Sequence, residues 1–258
     1  MSLGPYTSIR VDDAGEIVTL TFCRPPVNVL NIAMMDEIND ALAGLRDHPT
    51  AKVLVIAGEG KAFSAGVDVG DHAADRIDAM MASFGKLFQL LRGFTIPTVA
   101  VVDGAALGGG CEVATFCDII LASDKAKFGQ PEIKLGVFPP VAAAVFPELV
   151  GRSRSLALLL TGDVIPAVDA ERMGMVYKVF PAAEFAAGVD EFLKKLTACS
   201  KVILEMTKRA VDGGRGLDRM DAIARAEHLY MHEMMATADA HEGLAAFLEK
   251  RAPHWTNK

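Results

Sequence analysis

Three short apolar runs restrict what this chain can build. "KVLVIAG" (Lys52–Gly58), "PTVAVVDG" (Pro97–Gly104) and "CDIILAS" (Cys117–Ser123) lack the polar alternation of a strand with one wet face. Such runs belong to strands covered on both sides, as in a parallel sheet flanked by helices. Helical spacing lies between them. Met35, Ile38, Leu42 and Leu45 recur at steps of three and four, and Met80, Phe84, Leu87, Phe88 and Leu91 form a second stripe. "EIVTLTF" (Glu16–Phe22) reads as a further strand. Strands alternating with helices predict an α/β domain. At 258 residues, 51% hydrophobic and 23% charged, the chain has enough apolar material for one large core with an appendage.

Beyond about residue 180 the strand pattern stops. Phe185, Val189, Phe192 and Leu196 lie on one helical stripe, and Lys201–Val211, Leu217–Met235 and Ala240–Glu249 also read as helices, the first two parted by "DGGRG". We therefore expect a core over residues 1–200 and a helical unit over 201–258. The apolar faces of that unit exceed what a lone hairpin buries, so packing on another subunit is expected.

Composition narrows the function. The net charge of −7 counts against nucleic acid as the main partner. No uninterrupted apolar stretch is long enough for a membrane span, and no basic-then-apolar segment at the N-terminus predicts secretion, so a cytoplasmic protein is expected. No role is assigned to residues 1–3. Cys23, Cys111, Cys117 and Cys199 form no CxxC pair and read as reduced thiols. His228 and His232 are spaced for a metal on a helix, yet no acid completes an HExxH pattern, and a polar helix face is the expectation.

Two glutamates stand out. Gly108, Gly109 and Gly110 follow a buried strand and precede the helix-compatible "GCEVATF". Glycines there permit a sharp turn and close approach, and the first amides of a helix suit an anion or developing oxyanion. A tight turn without a ligand fits the glycines equally well. Glu112 sits among apolar residues directly after them, and Glu132 in "KFGQPEIKLGVF" is a second carboxylate in apolar company. Two carboxyls in one pocket can divide acid and base roles; taken singly, each is more often at a surface or in an ion pair. In "KAFSAGVDV", Gly66 permits a bend that would aim the Val67 amide into a cavity.

These pieces together resemble the enoyl-CoA hydratase/isomerase (crotonase) family. "RPPVNVLN", "AFSAGVD", "ALGGGCEVA", "AKFGQPEIKLG" and "EGLAAFLEKRAPHW" are similar to its segments in order and spacing over nearly the whole chain. The resemblance implies a spiral of ββα units with a C-terminal helical trimerisation region, trimers often paired into hexamers, and an acyl-CoA thioester substrate with no metal or other cofactor. It places the oxyanion-hole amides on Val67 and Gly109 and the hydratase acids on Glu112 and Glu132. It places CoA or substrate contacts on Val27, Ala65, Asp68, Phe138 and Lys250.

One stretch departs from the family. Where ordinary enoyl-CoA hydratases carry "PGAGGTQRL", this chain reads "LGVFPPVAAAVFPELVG" (Leu135–Gly151). Phe138–Phe146 thus reads as a stiff apolar wall suited to a flat ring. With "EHLYMHEMMATADAHEGLAAFLEKR", it looks most like the cyclohexa-1,5-diene-1-carbonyl-CoA hydratases of anaerobic aromatic degradation. The expected reaction is 1,4-addition of water giving 6-hydroxycyclohex-1-ene-1-carbonyl-CoA. The alternatives are a hydratase of linear 2-enoyl-CoAs, an enoyl-CoA isomerase, and a non-catalytic crotonase-like binding protein, which a filter-binding assay for RNA would reveal. His72 lies just past the Val67 loop, where it can line the pocket; a place in solvent is the expectation.

Overall fold

The computed structural model describes residues 4–257; residues 1–3, to which no role is assigned, lie outside the described residues. Strands come in pairs, each followed by a helix. The first turn is β1 (Ile9–Asp13), β2 (Ile17–Phe22) and α1 (Ile32–Leu45); the second is β3 (Val53–Gly58), β4 (Ala62–Ser64) and α2 (Ile77–Arg92). The third is β5 (Thr98–Val102), β6 (Ala105–Leu107) and α3 (Gly109–Phe116), and the fourth is β7 (Ile119–Ser123), β8 (Lys127–Gly129) and α4 (Pro140–Val150). Next come α5 (Arg152–Thr161), β9 (Val164–Pro166), α6 (Ala167–Arg172) and β10 (Lys178–Phe180). Four helices finish the chain: α7 (Phe185–Thr197), α8 (Lys201–Gly213), α9 (Arg219–His232) and α10 (Ala238–Glu249).

The pairs wind two sheets at once, the expected spiral. One sheet has the order β1-β2-β3-β5-β7-β10, the other β4-β6-β8-β9. Pairing is parallel except at β1–β2 and β8–β9. Side chains alternate along each strand. Leu54 and Ile56 therefore join the main core with Met34, Ile38, Leu42 and Leu87, whereas Val53, Val55, Val99 and Leu121 pack against Phe185, Val189 and Leu193 of α7. Both faces are covered, which explains the unbroken apolar runs.

The chain leaves the large sheet for the small one at glycine corners. Gly104, between β5 and β6, has φ +91°, and a Cβ there would collide with the Lys61 carbonyl oxygen. The small sheet matters for the residues at the ends of its parallel strands. β4 leads to Val67, β6 to Gly109 and β8 to Glu132. Three candidate residues thus emerge from the carboxyl ends of neighbouring strands, where open α/β sheets form clefts.

The helical C-terminal part is stitched to the body by polar contacts. Lys201 Nζ donates to the carbonyls of His48 (2.7 Å) and Pro49 (3.1 Å), and Lys208 Nζ pairs with Asp118 (2.7 Å). The single helix expected over Leu217–Met235 is divided: α9 ends at His232, and a separate 3-10 turn covers Met234–Ala236. Among the described residues no helix is long and apolar enough to cross a membrane. His228 and His232 sit one turn apart on α9, ring centroids 4.5 Å apart, and no third ligand gathers with them among the described residues.

Two glycines test this frame against each other. Gly104→Ala should lower stability by about 2 kcal/mol or more, through the collision and the positive φ. Gly85→Ala, in the middle of α2 with nothing within 4 Å of the new methyl, should raise it by roughly 0.5–1 kcal/mol. Urea titrations of both variants check the opposite signs.

Candidate active site

The first amide donor is aimed by a backbone bridge. Leu30 N–H donates to Gly66 O (2.8 Å), Asp68 N–H to Leu30 O (2.9 Å), and Ala65 N–H to Val27 O (2.9 Å). In this parallel bridge Leu30 uses the groups on either side of its partner Val67, so the Val67 N–H turns away from Leu30. Asn28, fully buried, holds the segment: its side chain donates to Ala62 O (2.8 Å) and Glu59 O (3.0 Å). Val27 and Ala65 thus form the frame of the donor, and Asp68 spends its carboxylate on Gly70 N–H (2.9 Å).

The second donor comes from the glycine run. Gly109 opens α3, so its N–H has no partner within the helix. Gly108 adopts φ +52°, ψ −131°, a conformation left to glycine. Each glycine also lies at a close approach. A Cβ would stand 2.5 Å from Glu132 Oε1 at Gly108, 2.6 Å from Val67 Cγ2 at Gly109 and 2.5 Å from Ser64 Cβ at Gly110. The run is therefore the meeting point of Val67, Glu132 and β4, more than a bare turn.

Glu112 lies one turn into α3 and is 2% exposed. Its Oε1 accepts from the Ala142 N–H at 2.8 Å. That amide is in the first turn of α4, where Pro140 has no N–H to offer and the following amides lack helical partners. Burial pushes the Glu112 carboxyl up to about 7; the Ala142 amide pulls down and the Glu132 charge pushes up. Glu132 is half-buried on the 3-10 turn Pro131–Leu135. Burial raises its carboxyl as well, opposed by its own backbone N–H and by the charge of His72. With its amide nitrogen turned to the carboxylate, fully buried Gln130 donates to both Glu132 oxygens at 3.1 and 3.2 Å.

The structure thus gathers Val27, Ala65, Val67, Asp68, Gly109, Glu112 and Glu132. Two of the named residues have no polar link to these among the described residues. Phe138 precedes α4 and is 70% exposed, and Lys250 caps the far end of α10, joined to the others by no hydrogen bond or ion pair among the described residues. The expected wall Phe138–Phe146 is not continuous. Pro140 starts a helix, and a helix turns successive residues to different sides. Val141 is half-buried and Ala142 buried, Ala143 and Ala144 lie outside, and Phe146 enters the core. His72 is half-buried, not in open solvent. The holding roles of Gln130 and Asn28 are not legible in the sequence; the available signals are that Gln130 stands two residues before Glu132 and that Asn28 lies in "RPPVNVLN".

Chemically, the Val67 loop and the Glu132 carboxylate both reach the glycine run that opens α3, and Glu112 stands one turn along that helix, within hydrogen-bond reach of α4. Such a site can bind an oxygen that gains negative charge and move protons beside it.

Comparison with known proteins agrees in extent. A family model described as enoyl-CoA hydratase/isomerase matches residues 12–258. A probable enoyl-CoA hydratase of Mycobacterium tuberculosis is 37% identical, over 98% of this chain and 99% of its own. The cyclohexa-1,5-dienecarbonyl-CoA hydratase of Thauera aromatica is 34% identical, over 95% and 94%. The crystal structure of an enoyl-CoA hydratase subunit from Geobacillus kaustophilus superposes with a TM-score of 0.91 at 31% identity, over 98% and 99%.

Glu112 should make stability depend on pH. Its carboxyl ionises near 7 when folded, against 4.5 ordinarily, so the folded state holds the proton more tightly. The resulting stabilisation is complete below the unfolded value and is lost as pH rises through the folded one. Glu112→Gln cannot ionise and escapes that loss. Its stability relative to the parent should rise between about pH 5 and pH 8 by about 2–3 kcal/mol. Denaturant titrations at the two pH values measure it; a constant difference would contradict the buried carboxyl.

Proposed function

The chain belongs to the enoyl-CoA hydratase/isomerase family and is a hydro-lyase acting on an enoyl-CoA, and from that premise we propose cyclohexa-1,5-diene-1-carbonyl-CoA as its preferred substrate. The Val67 and Gly109 amides hold the thioester oxygen and stabilise the enolate. Glu112 and Glu132 share one proton and hold the attacking water. The ionised carboxyl takes a proton from water as the hydroxyl bonds to C2 of the ring, the β-carbon. The diene electrons shift to a C1–C6 double bond, and the protonated carboxyl delivers its proton to C5. The product is 6-hydroxycyclohex-1-ene-1-carbonyl-CoA, and the pair again holds one proton. No metal, flavin or nicotinamide takes part in this scheme, because the amides and carboxyls handle all the charge and both protons.

The observation that carries ring over chain is the first turn of α4. Val141 and Ala142 adjoin Glu112 there and add no side-chain donor or acceptor. A preformed apolar surface suits a rigid ring, which loses less freedom on binding than a flexible chain. A hydratase of linear 2-enoyl-CoAs is the second reading, favoured by the higher identity to the Mycobacterium protein. A panel of thioesters assayed for water addition decides. The ring substrate should exceed crotonyl-CoA by about tenfold or more in kcat/KM; equal or better use of crotonyl-CoA would favour the second reading. In the same assay Glu112→Gln and Glu132→Gln should each lower kcat by roughly 10²-fold or more, with binding little changed.

The assembly we propose is a homotrimer or a pair of trimers. The C-terminal helices expose Val211, Met220, Met231, Leu244, Phe247 and Leu248, the last two at 83% and 80%. In that assembly Lys250 would meet a CoA phosphate of its own or a neighbouring subunit. Sedimentation at micromolar concentration should give the trimer or hexamer mass; a monomer would exclude it.

A further inference from the structure

The loops that carry Val67 and Gly109 are joined a second time, through α1 and α2. Leu30, which bridges Val67, stands two residues before α1. Asn31 caps that helix, accepting from Met34 N–H (3.0 Å), and buried Asp71, just past Val67, accepts from Ile32 N–H (2.9 Å). The start of α1 is therefore tied to the Val67 loop. Two turns on, buried Asn39 donates to the Ser83 carbonyl of α2 (2.9 Å), and the Ser83 hydroxyl donates to Asp36 (2.6 Å). Apolar packing is non-directional, whereas these bonds fix the register of α2 on α1.

The next residue, Phe84, is buried and reaches the glycine run. Its ring atoms Cζ and Cε2 lie 3.1 and 3.3 Å from where a Gly109 Cβ would stand, and Val67 Cγ2 lies 2.6 Å from the same point. Val67 and Phe84 thus both close on the bare α-carbon of Gly109. Phe84 meets Phe88 edge to face with centroids 4.8 Å apart, and Phe88 meets Phe116 at 5.0 Å. Gly109 opens α3 and Phe116 ends it. The aromatic ladder on α2 therefore touches α3 at both ends, with Glu112 between them. Close-packed rings leave such a helix little slack.

We propose that Phe84 is a positioning residue for the reaction: its ring holds the Gly109 amide in place relative to the Val67 amide. This rests on the reading of those two amides as the donors to the thioester oxygen. Phe84 acts through the backbone of Gly109. A leucine there is shorter and branched, and it leaves that backbone without its support. A displaced donor loses most where the oxygen carries most charge, so the enolate suffers more than the bound thioester and kcat falls more than binding.

The test compares Phe84→Leu, Phe84→Met and Leu91→Ala with the parent, with crotonyl-CoA as substrate and cinnamoyl-CoA as a spectroscopic probe. Leu91 is buried on α2 two turns beyond Phe84 and controls for a loss of core packing as such. Phe84→Leu should lower kcat about tenfold with KM changed by less than about twofold. It should also weaken the red shift that hydrogen bonds to the thioester carbonyl give bound cinnamoyl-CoA. Phe84→Met, whose longer side chain refills the space against Gly109, should show the same losses in smaller measure, and it carries the test if Phe84→Leu does not fold by circular dichroism. Leu91→Ala should lose stability and keep kcat and the red shift. Parent-like kcat and red shift in the Phe84 variants, or equal loss of kcat in Phe84→Leu and Leu91→Ala, overturns the proposal. A parent complex without a red shift would instead overturn the donor reading on which it rests.

Discussion

A carboxyl group withdrawn from water sets the terms for this molecule. Burial of Glu112 opposes its charge, and among the described residues the hydrogen bonds that offset this come from amides at the start of α4. Such amides are free because a helix cannot satisfy its own first donors. The start of α4 must therefore fall at one place relative to α3. Pro139 and Pro140 favour that start: Pro140 sits in the first turn, where the lack of an N–H costs nothing. The preceding turn, which carries Glu132, is in turn held between β8 and α4.

The two-sheet spiral brings the other half of the site to this point. A single sheet would send successive strand ends along a line. Here each pass through the large sheet continues, after a sharp corner, into a three-residue strand of the small sheet, and the ends of β4, β6 and β8 lie side by side. The large sheet, packed on both faces, provides rigidity. The small sheet ends on the backbone amides of Val67 and Gly109, which have no rotamers to lose and, in the proposed reaction, would meet the reacting oxygen.

Legibility in the sequence depends on the length of the signal. The strands containing Val53–Ala57 and Thr98–Val102 and the stripes of α1 and α2 span enough residues for a period to show, and the structure bears them out. β4, β6 and β8 have three residues each, too few for any period, yet they place the donors. Their product is legible only because Gly108, Gly109 and Glu112 are unusual residues in an apolar run. The segment after Phe138 reads as one continuous wall because its composition is apolar all round, which hides the helical facing that turns Ala143 and Ala144 away. Gln130 stands only two residues before Glu132, but its full burial and the turning of its amide toward that carboxylate come from packing that no local pattern encodes.

The C-terminal helices show a division between polar and apolar contacts. α8 buries none of its residues fully, and what ties this region to its own chain is directional: Lys201 to two carbonyls, Lys208 to Asp118, Ser200 to buried Asp239, and the Trp255 ring N–H to the Ala198 carbonyl at 2.7 Å. Hydrogen bonds fix orientation through their angular preference, whereas apolar packing is non-directional. Spending the polar groups inward leaves Val211, Met220, Phe247 and Leu248 outward. A monomer keeping these faces wet forgoes the burial free energy they offer, while the polar stitches hold them in a fixed arrangement. A second copy would thus meet a preorganised surface and lose little further freedom in docking to it.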